Sequence, residues 1–549
     1  MNHKKLFIII WLIAVAAVPL SVSGNNLDIA VARDAAISFL NKSANPTLKS
    51  AAGNHLKLVN AEPSKGAGDA TAYYAFNITG GGFVIVAGDD RAPSILGYSD
   101  SGLLDFDRLP SNVSALLSGY VEEISYLQSH PELTATPTPR LTSITGVAPL
   151  IKSHWGQEMP YYLQCPIYNG EYCVVGCVAT AMSQVMHYWR YPTSSPEVAS
   201  YYCYDIGQTL PDLDMTNFDY AKMLNSYCHW DWETSQLIQD SYTNEQAQAV
   251  AKLARYCGQA VRMGYSPEGS GAYVSSQLSA MKNFGYSQNA DDVSRDGWYG
   301  NYTDAQWESM IRNELDAGRP ILYSANDYAA GGHAFVCDGY NNEGYFHFNF
   351  GWYGTCDGWF VTTALNMTHR DGDDLHFNWN HEMLTGVEPP TYVLLSMDDI
   401  TLPDNLMVLG ETVDVNASNV TLRTTFPYVN LQFNLCNASG TIKAKSQAIN
   451  VTLDNLEQGC DLTTTITLPK TLAEGCYDLK SYYYINDTRM PVFTNNQGGQ
   501  LNVVGHLAKY NAPFTIDDVT ACIQYLLNGS HEVLKIDDVT ELINYLLSM

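Results

Sequence analysis

One stretch constrains this chain more than any other: Gly176-Cys177-Val178-Ala179-Thr180-Ala181-Met182. Val178, Met182, Val185, Met186 and Trp189 recur at helical spacing, and Pro192 stops the pattern, so a helix of roughly three to four turns is expected to open at Cys177. Unpaired backbone N–H groups and the positive end of the helix dipole meet at such a position, and both favour a thiolate over a thiol. Position alone leaves two readings of Cys177 open. It is either a nucleophile, or a buried structural cysteine or half of a disulfide with Cys173 or Cys165. The choice depends on residues about 150 positions downstream.

At 549 residues the chain needs several domains. Its 57 acidic against 29 basic side chains argue against nucleic acid or an anionic membrane as partner. Lys4 and Lys5 precede an apolar run from Leu6 to Leu20 and the small residues Ser21, Ser23 and Gly24. This is the pattern of a secretory signal peptide over residues 1–24, and no second long apolar run follows, so a soluble, secreted mature chain is expected. None of the 12 cysteines precedes Cys165, and export permits disulfides whose connectivity sequence alone does not define.

Residues 25–146 form a cysteine-free module. Val31, Ala35, Phe39 and Leu40 suggest one amphipathic helix, Phe83–Ala87 a buried strand, and Val113–Leu127 a second helix. The polar, proline-bearing stretch Thr134–Arg140 reads as a linker open to proteolysis. The module is therefore a propeptide or an ordinary N-terminal binding domain. Residues 147–390 carry helices first (Gln246–Val261, Val274–Phe284) and short β runs afterwards (Pro320–Ser324, His333–Tyr340, Tyr345–Phe350), an α+β order. Residues 391–505 alternate in short Thr/Val/Leu-rich segments, as a β-sandwich does. In 506–549, Ile516-Asp517-Asp518-Val519-Thr520 recurs as Ile536-Asp537-Asp538-Val539-Thr540. These copies resemble the paired helices of a dockerin-like module. The stretches before them offer only Glu532 as an acid, so a helix pair without calcium is expected.

A cysteine nucleophile requires a base, a group that holds the base, and donors for an oxyanion. His333 follows Gly331-Gly332 and opens a strand, which makes it the preferred base. After the turn Asn341–Gly344, alternation places Phe346, Phe348 and Phe350 on one face and His347 and Asn349 on the other. Such a hairpin returns Asn349 to within a few residues of His333, where it can orient the imidazole. Trp352 is positioned to shield that contact. His187 and His347 read as structural. Gln157, in Trp155-Gly156-Gln157, is a candidate oxyanion donor beside the N–H of Cys177.

Together these residues resemble the streptopain family of bacterial cysteine peptidases, within the papain-like clan. The matching stretches run from Val147–Leu150 through Trp155-Gly156-Gln157, Cys165-Pro166, Val175–Met182 and Gly269–Ala272 to Gly332–Val336 and Asn349–Gly354. Gly82–Arg91 and Leu96–Ser99 resemble the propeptide of that family. The resemblance implies a papain-like fold in which Cys177 is nucleophile, His333 acid/base, Gln157 oxyanion donor, and Asn349 with Trp352 the imidazole support. It implies that Ser270 and Gly332 line the substrate cleft. It further implies a zymogen whose propeptide inhibits it, no metal or other cofactor, and broad protein and peptide substrates with an apolar side chain beside the cleaved residue. One departure is Phe350, where the family usually has Trp after the Asn. An alternative of another class is a surface adhesin whose C-terminal region binds a cell-surface or protein partner, with the papain-like part an inactive scaffold.

Overall fold

The computed structural model describes residues 26–504 apart from internal segments such as 51–55, 134–145, 328–330, 365–378 and 453–458. The expected signal peptide and linker and the tail repeat lie outside the described residues.

The N-terminal module opens with helix α1 (Ile29–Lys42), capped by the Asp28 carboxylate, which accepts the N–H groups of Ala30 and Val31 at 2.8 and 2.9 Å. Its buried face is Ala32, Ala36 and Leu40, with Val31 left 48% exposed. The buried stripe thus lies one residue along from the expected one, because small alanines let the helix sit close to the sheet while Phe39 reaches sideways to Tyr98. Four antiparallel strands follow: β1 (Leu56–Pro63), β2 (Thr71–Ile78), β3 (Phe83–Ala87) and β4 (Ile95–Ser99). Helix α2 (Ser111–Ser129) covers them with Val113, Leu116, Leu117, Tyr120 and Ile124.

Beyond the linker come α3 (Cys177–Trp189) and α4 (Asn244–Ala260), the latter opened by a reciprocal cap between Thr243 and Gln246. Next are strand β5 (Asp291–Ser294), helix α5 (Asp304–Asp316), and strands β6 (Ile321–Asp327), β7 (Gly331–Tyr340), β8 (Phe346–Asn349), β9 (Gly358–Phe360) and β10 (Trp379–Thr385). The two sets of strands make one ten-stranded sheet in the order β1-β2-β3-β4-β9-β8-β7-β6-β10-β5. The N-terminal module therefore extends the sheet of the next segment rather than sitting apart from it. At the seam Tyr98 faces Trp359 and Gly97 faces Phe360. One core lies between the sheet and α3 and α4, a second joins Phe83, Tyr120 and Ile124 to Phe335, Phe348 and Phe360, and a third packs Ala32, Ala36 and Leu40 of α1 on Phe76, Val84 and Val86.

From Val393 to Val504 two sheets enclose a core of Leu395, Val415, Leu422, Leu431, Phe433 and Leu479. Strands Val429–Cys436 and Gly475–Ile485 are paired in one of them. Tyr392 stacks edge-on against Trp189 at the end of α3, with ring centroids 5.1 Å apart. No helix among the described residues is long and apolar enough to cross a membrane.

Candidate active site

Helix α3 begins where the chain turns through Gly176, at φ 86° and ψ 142°. A side chain there would be strained, and its Cβ would lie 2.7 Å from Met263 Cε and 2.9 Å from the Ser270 carbonyl. Glycine therefore lets Cys177 open the helix against the 263–271 loop. Val178, Met182, Val185, Met186 and Trp189 are all buried, as their spacing predicts, and the helix ends at Arg190 in the left-handed conformation.

Strand β7 brings His333 to the same place. On one side it pairs with β6, Ala325 facing His333 and Ser324 facing Ala334. On the other side β8 ends with Asn349 opposite Val336, so the sheet leaves room beside Ala334. Cys177 packs against the core that includes Ala334, the residue after His333, and the Ala334 N–H is among the backbone groups that lower the pKa of its thiol. Burial pushes the thiol up from its ordinary value, against the N–H groups of Ala334, Val178 and Cys177 itself, which lower it. The expected net depression is thus not what this arrangement gives. Desolvation outweighs the helix terminus while protein surrounds the sulfur.

Ser111, the first residue of α2, has its Oγ 3.2 Å from His333 Nδ1. Next to it, the fully buried Asn112 donates from Nδ2 to the Phe350 carbonyl at 2.8 Å. The N-terminal module therefore touches the imidazole directly, across 222 residues of sequence. Nothing in the local pattern marked Ser111; only its place at a helix start hints at an exposed hydroxyl.

The Gln157 carbonyl accepts from Val175 N–H at 3.0 Å, which sets this largely buried residue beside the approach to Cys177. The stretch Trp155–Glu158 is held by the Gly351–Gly354 turn: Tyr353 N–H donates to the Trp155 carbonyl, and Glu158 N–H to the Tyr353 hydroxyl, both at 3.1 Å. Asn349 is buried three residues along the register from His333, yet its side chain is engaged elsewhere. Its Oδ1 accepts from Gln184 Nε2 at 2.9 Å and Gly351 N–H at 3.1 Å, and its Nδ2 donates to the Ser153 carbonyl at 2.8 Å. In this arrangement the imidazole meets Ser111, and the expected Asn349 contact is not the one Asn349 makes.

Phe346, Phe348 and Phe350 share the buried face, as alternation predicts. Phe350 packs against Phe335 and Phe360, and Trp352 borders the same core, whereas Tyr353 of that turn borders the core that Cys177 packs against. Trp352 is half-buried, and its indole N–H has no acceptor among the described residues. The Ser270 hydroxyl donates to the Ser266 carbonyl at 3.2 Å and accepts Ser266 N–H at 3.0 Å, closing its own loop, while its carbonyl abuts Gly176. Gly332 faces Asn326 in the β6–β7 register, directly before His333.

His187 is buried against Trp155, rings 4.7 Å apart, and desolvation holds its pKa down to about 3. His347 lies 2.6 Å from the buried Asp338 carboxylate. Burial alone would lower its pKa, but Asp338, with Asp357 and Asp100, raises it. Ten cysteines among the described residues are free thiols, including Cys165 and Cys173. Among the described residues no group of three or more His, Cys, Asp or Glu side chains is placed to hold a metal.

Comparison with known proteins places the chain among cysteine peptidases. Residues 155–360 match the peptidase C10 family, and residues 24–124 match the Spi protease inhibitor family. Streptopain of Streptococcus pyogenes serotype M1 is 31% identical over 382 residues, covering 65% of this chain and 91% of streptopain. The thiol protease/hemagglutinin PrtT of Porphyromonas gingivalis is 30% identical over 326 residues, 56% of this chain and 36% of PrtT. A solved fragment of prointerpain A from Prevotella intermedia superposes with a TM-score of 0.50 at 30% identity, covering 61% of this chain and 99% of the fragment. With the C10 family match over its middle and streptopain covered over 91% of its length, the chain belongs to the streptopain, or C10, family of cysteine peptidases.

Proposed function

We propose that this protein is a secreted cysteine endopeptidase made as a latent precursor, with Cys177 and His333 as its catalytic dyad. The observation that carries the reading is the packing of Cys177, at the start of its helix, against the core that includes Ala334, the residue next to His333. Signal-like residues 1–24 support export, and the Spi-type module supports latency.

In the mechanism, Cys177 Sγ attacks the scissile carbonyl carbon as its proton passes to His333. The oxyanion takes hydrogen bonds from the Cys177 N–H and the Gln157 amide. His333 then protonates the leaving amine, and a thioester remains. Water attacks the thioester with His333 as base, releasing the carboxylic acid and restoring the thiol. Removal of Ser111 from Nδ1 frees the imidazole for this traffic. Asn349 and Trp352 support the imidazole once the cleft is open, and Ser270 and Gly332 border the substrate backbone. Residues 25–146 serve as the propeptide and 391–505 as an accessory sandwich.

Two experiments test the reading. An epoxysuccinyl peptide should label the trimmed enzyme on Cys177, and Cys177→Ala should abolish labelling; labelling elsewhere would remove Cys177 from the mechanism. The Cys177→Ala precursor, treated with catalytic mature enzyme, should be cut between about Pro139 and Val147. A cut linker ends the high effective concentration that holds the module in the cleft. A full-length wild-type chain as active as the trimmed one would defeat latency.

A further inference from the structure

Gln184 lies on α3 seven residues after Cys177 and is fully buried within an otherwise mostly apolar helix. Seven residues is close to two helical turns, so it stands behind the nucleophile on the same face. Its Oε1 accepts the Ser153 hydroxyl at 3.1 Å and the Trp155 N–H at 3.3 Å. Its Nε2 donates to Asn349 Oδ1 at 2.9 Å.

The orientation of both amides is fixed by this set. A main-chain N–H can only donate, so the Gln184 atom facing Trp155 must be the oxygen, and the atom facing Asn349 must be the nitrogen. Asn349 must then present its oxygen to Gln184 and to Gly351 N–H, and its nitrogen to the Ser153 carbonyl. One buried amide thus ties together the nucleophile helix, the segment that carries Gln157, and the end of β8.

We propose that Gln184 is a positioning residue of the peptidase reaction. It sets the spacing between Cys177, the Gln157 oxyanion donor and Asn349 without touching substrate, and this rests on the roles proposed above for those residues. A buried amide held through both its oxygen and its nitrogen is rigid, and losing it leaves the groups it bonds buried without that partner. Displacement of reacting groups by about 1 Å costs on the order of a hundredfold in rate.

The test is a double-mutant cycle on the full-length chain, trimmed at the linker by an immobilised unrelated protease. Gln184→Met keeps the side-chain length and removes every polar contact. We expect kcat to fall about 10- to 100-fold with KM within about twofold. Asn349→Ala added to Gln184→Met should cost no more than the worse single change, within about threefold, because both cut the same tie. Wild-type kcat in Gln184→Met beside an impaired Asn349→Ala would overturn the inference, as would losses that multiply. A fully active Asn349→Ala would overturn it together with the role of Asn349, while Cys177 labelling would still stand. If the methionine variant does not fold, Gln184→Glu takes its place. It keeps both acceptor contacts and, once ionised, offers no donor to Asn349, so its kcat relative to wild type should fall as pH rises; a ratio that stays at one across the pH range overturns the inference.

Discussion

The seam between the N-terminal module and the peptidase sheet makes latency sensitive to one methyl group. A Cβ on Gly97 would fall 2.3 Å from Phe360 Cδ1 and 3.1 Å from its Cγ. Phe360 cannot swing aside freely: it is fully buried, with ring centroids of Phe350, Phe83 and Phe348 at 5.6, 6.0 and 6.1 Å. Gly97→Ala should therefore cost about 1–3 kcal/mol, the range for overfilling a packed core. The cost falls on the closed precursor alone, because Gly97 leaves with the module while Phe360 stays. The fraction of precursor with an open cleft should rise by about 5- to 150-fold. The assay is the rate at which an epoxysuccinyl peptide labels Cys177 in intact precursor, which needs no turnover and blocks self-cleavage. After trimming, wild type and variant should label at the same rate. A Gly97→Ala precursor that labels no faster than wild type and melts at the same temperature would refute the argument, since Phe360 would then have room that its neighbours deny it.

Cys177→Ala should abolish hydrolysis of casein while leaving the melting temperature of the precursor within a few degrees; any retained turnover assigns the chemistry elsewhere. Burial pushes Cys165, Cys257 and Cys356 up to about 12 and Cys173 and Cys228 up to about 11. Iodoacetamide at pH 8 should consequently modify Cys177 of the trimmed enzyme and spare those five, as peptide mapping by mass spectrometry would report. The raised pKa of His347 means that its pairing with Asp338 stabilises the fold fully below the ordinary value of 6.5 and less as pH rises through the folded value. Melting temperature should therefore decline from about pH 6.5 upward in wild type and decline less steeply in Asp338→Asn; equal slopes would show that this pair does not titrate with folding.

Much of the site was legible in the sequence because its parts are local. The helix behind Cys177 announces itself by five apolar residues at one spacing and a proline beyond its end. The Phe346, Phe348, Phe350 alternation separates core face from site face. The Asn341–Gly344 turn folds Asn349 back towards His333, and the register places it opposite Val336. Where the periodic signal was weak the reading slipped, as in α1, where alanines rather than Val31 face the sheet.

Other features belong to the tertiary structure alone. No periodicity foretells that β4 joins β9, that Ser111 meets His333, or that Gln184 binds Asn349. The balance at Cys177 is of the same kind, for the helix start favours a thiolate while burial by distant segments works against it. The physical reason is one of range. Helix and strand periods are set by steric and hydrogen-bond terms within about four residues, so they can be read from any short window. Contacts across 165 or 222 residues depend on where every intervening segment packs, and desolvation depends on what finally covers the atom.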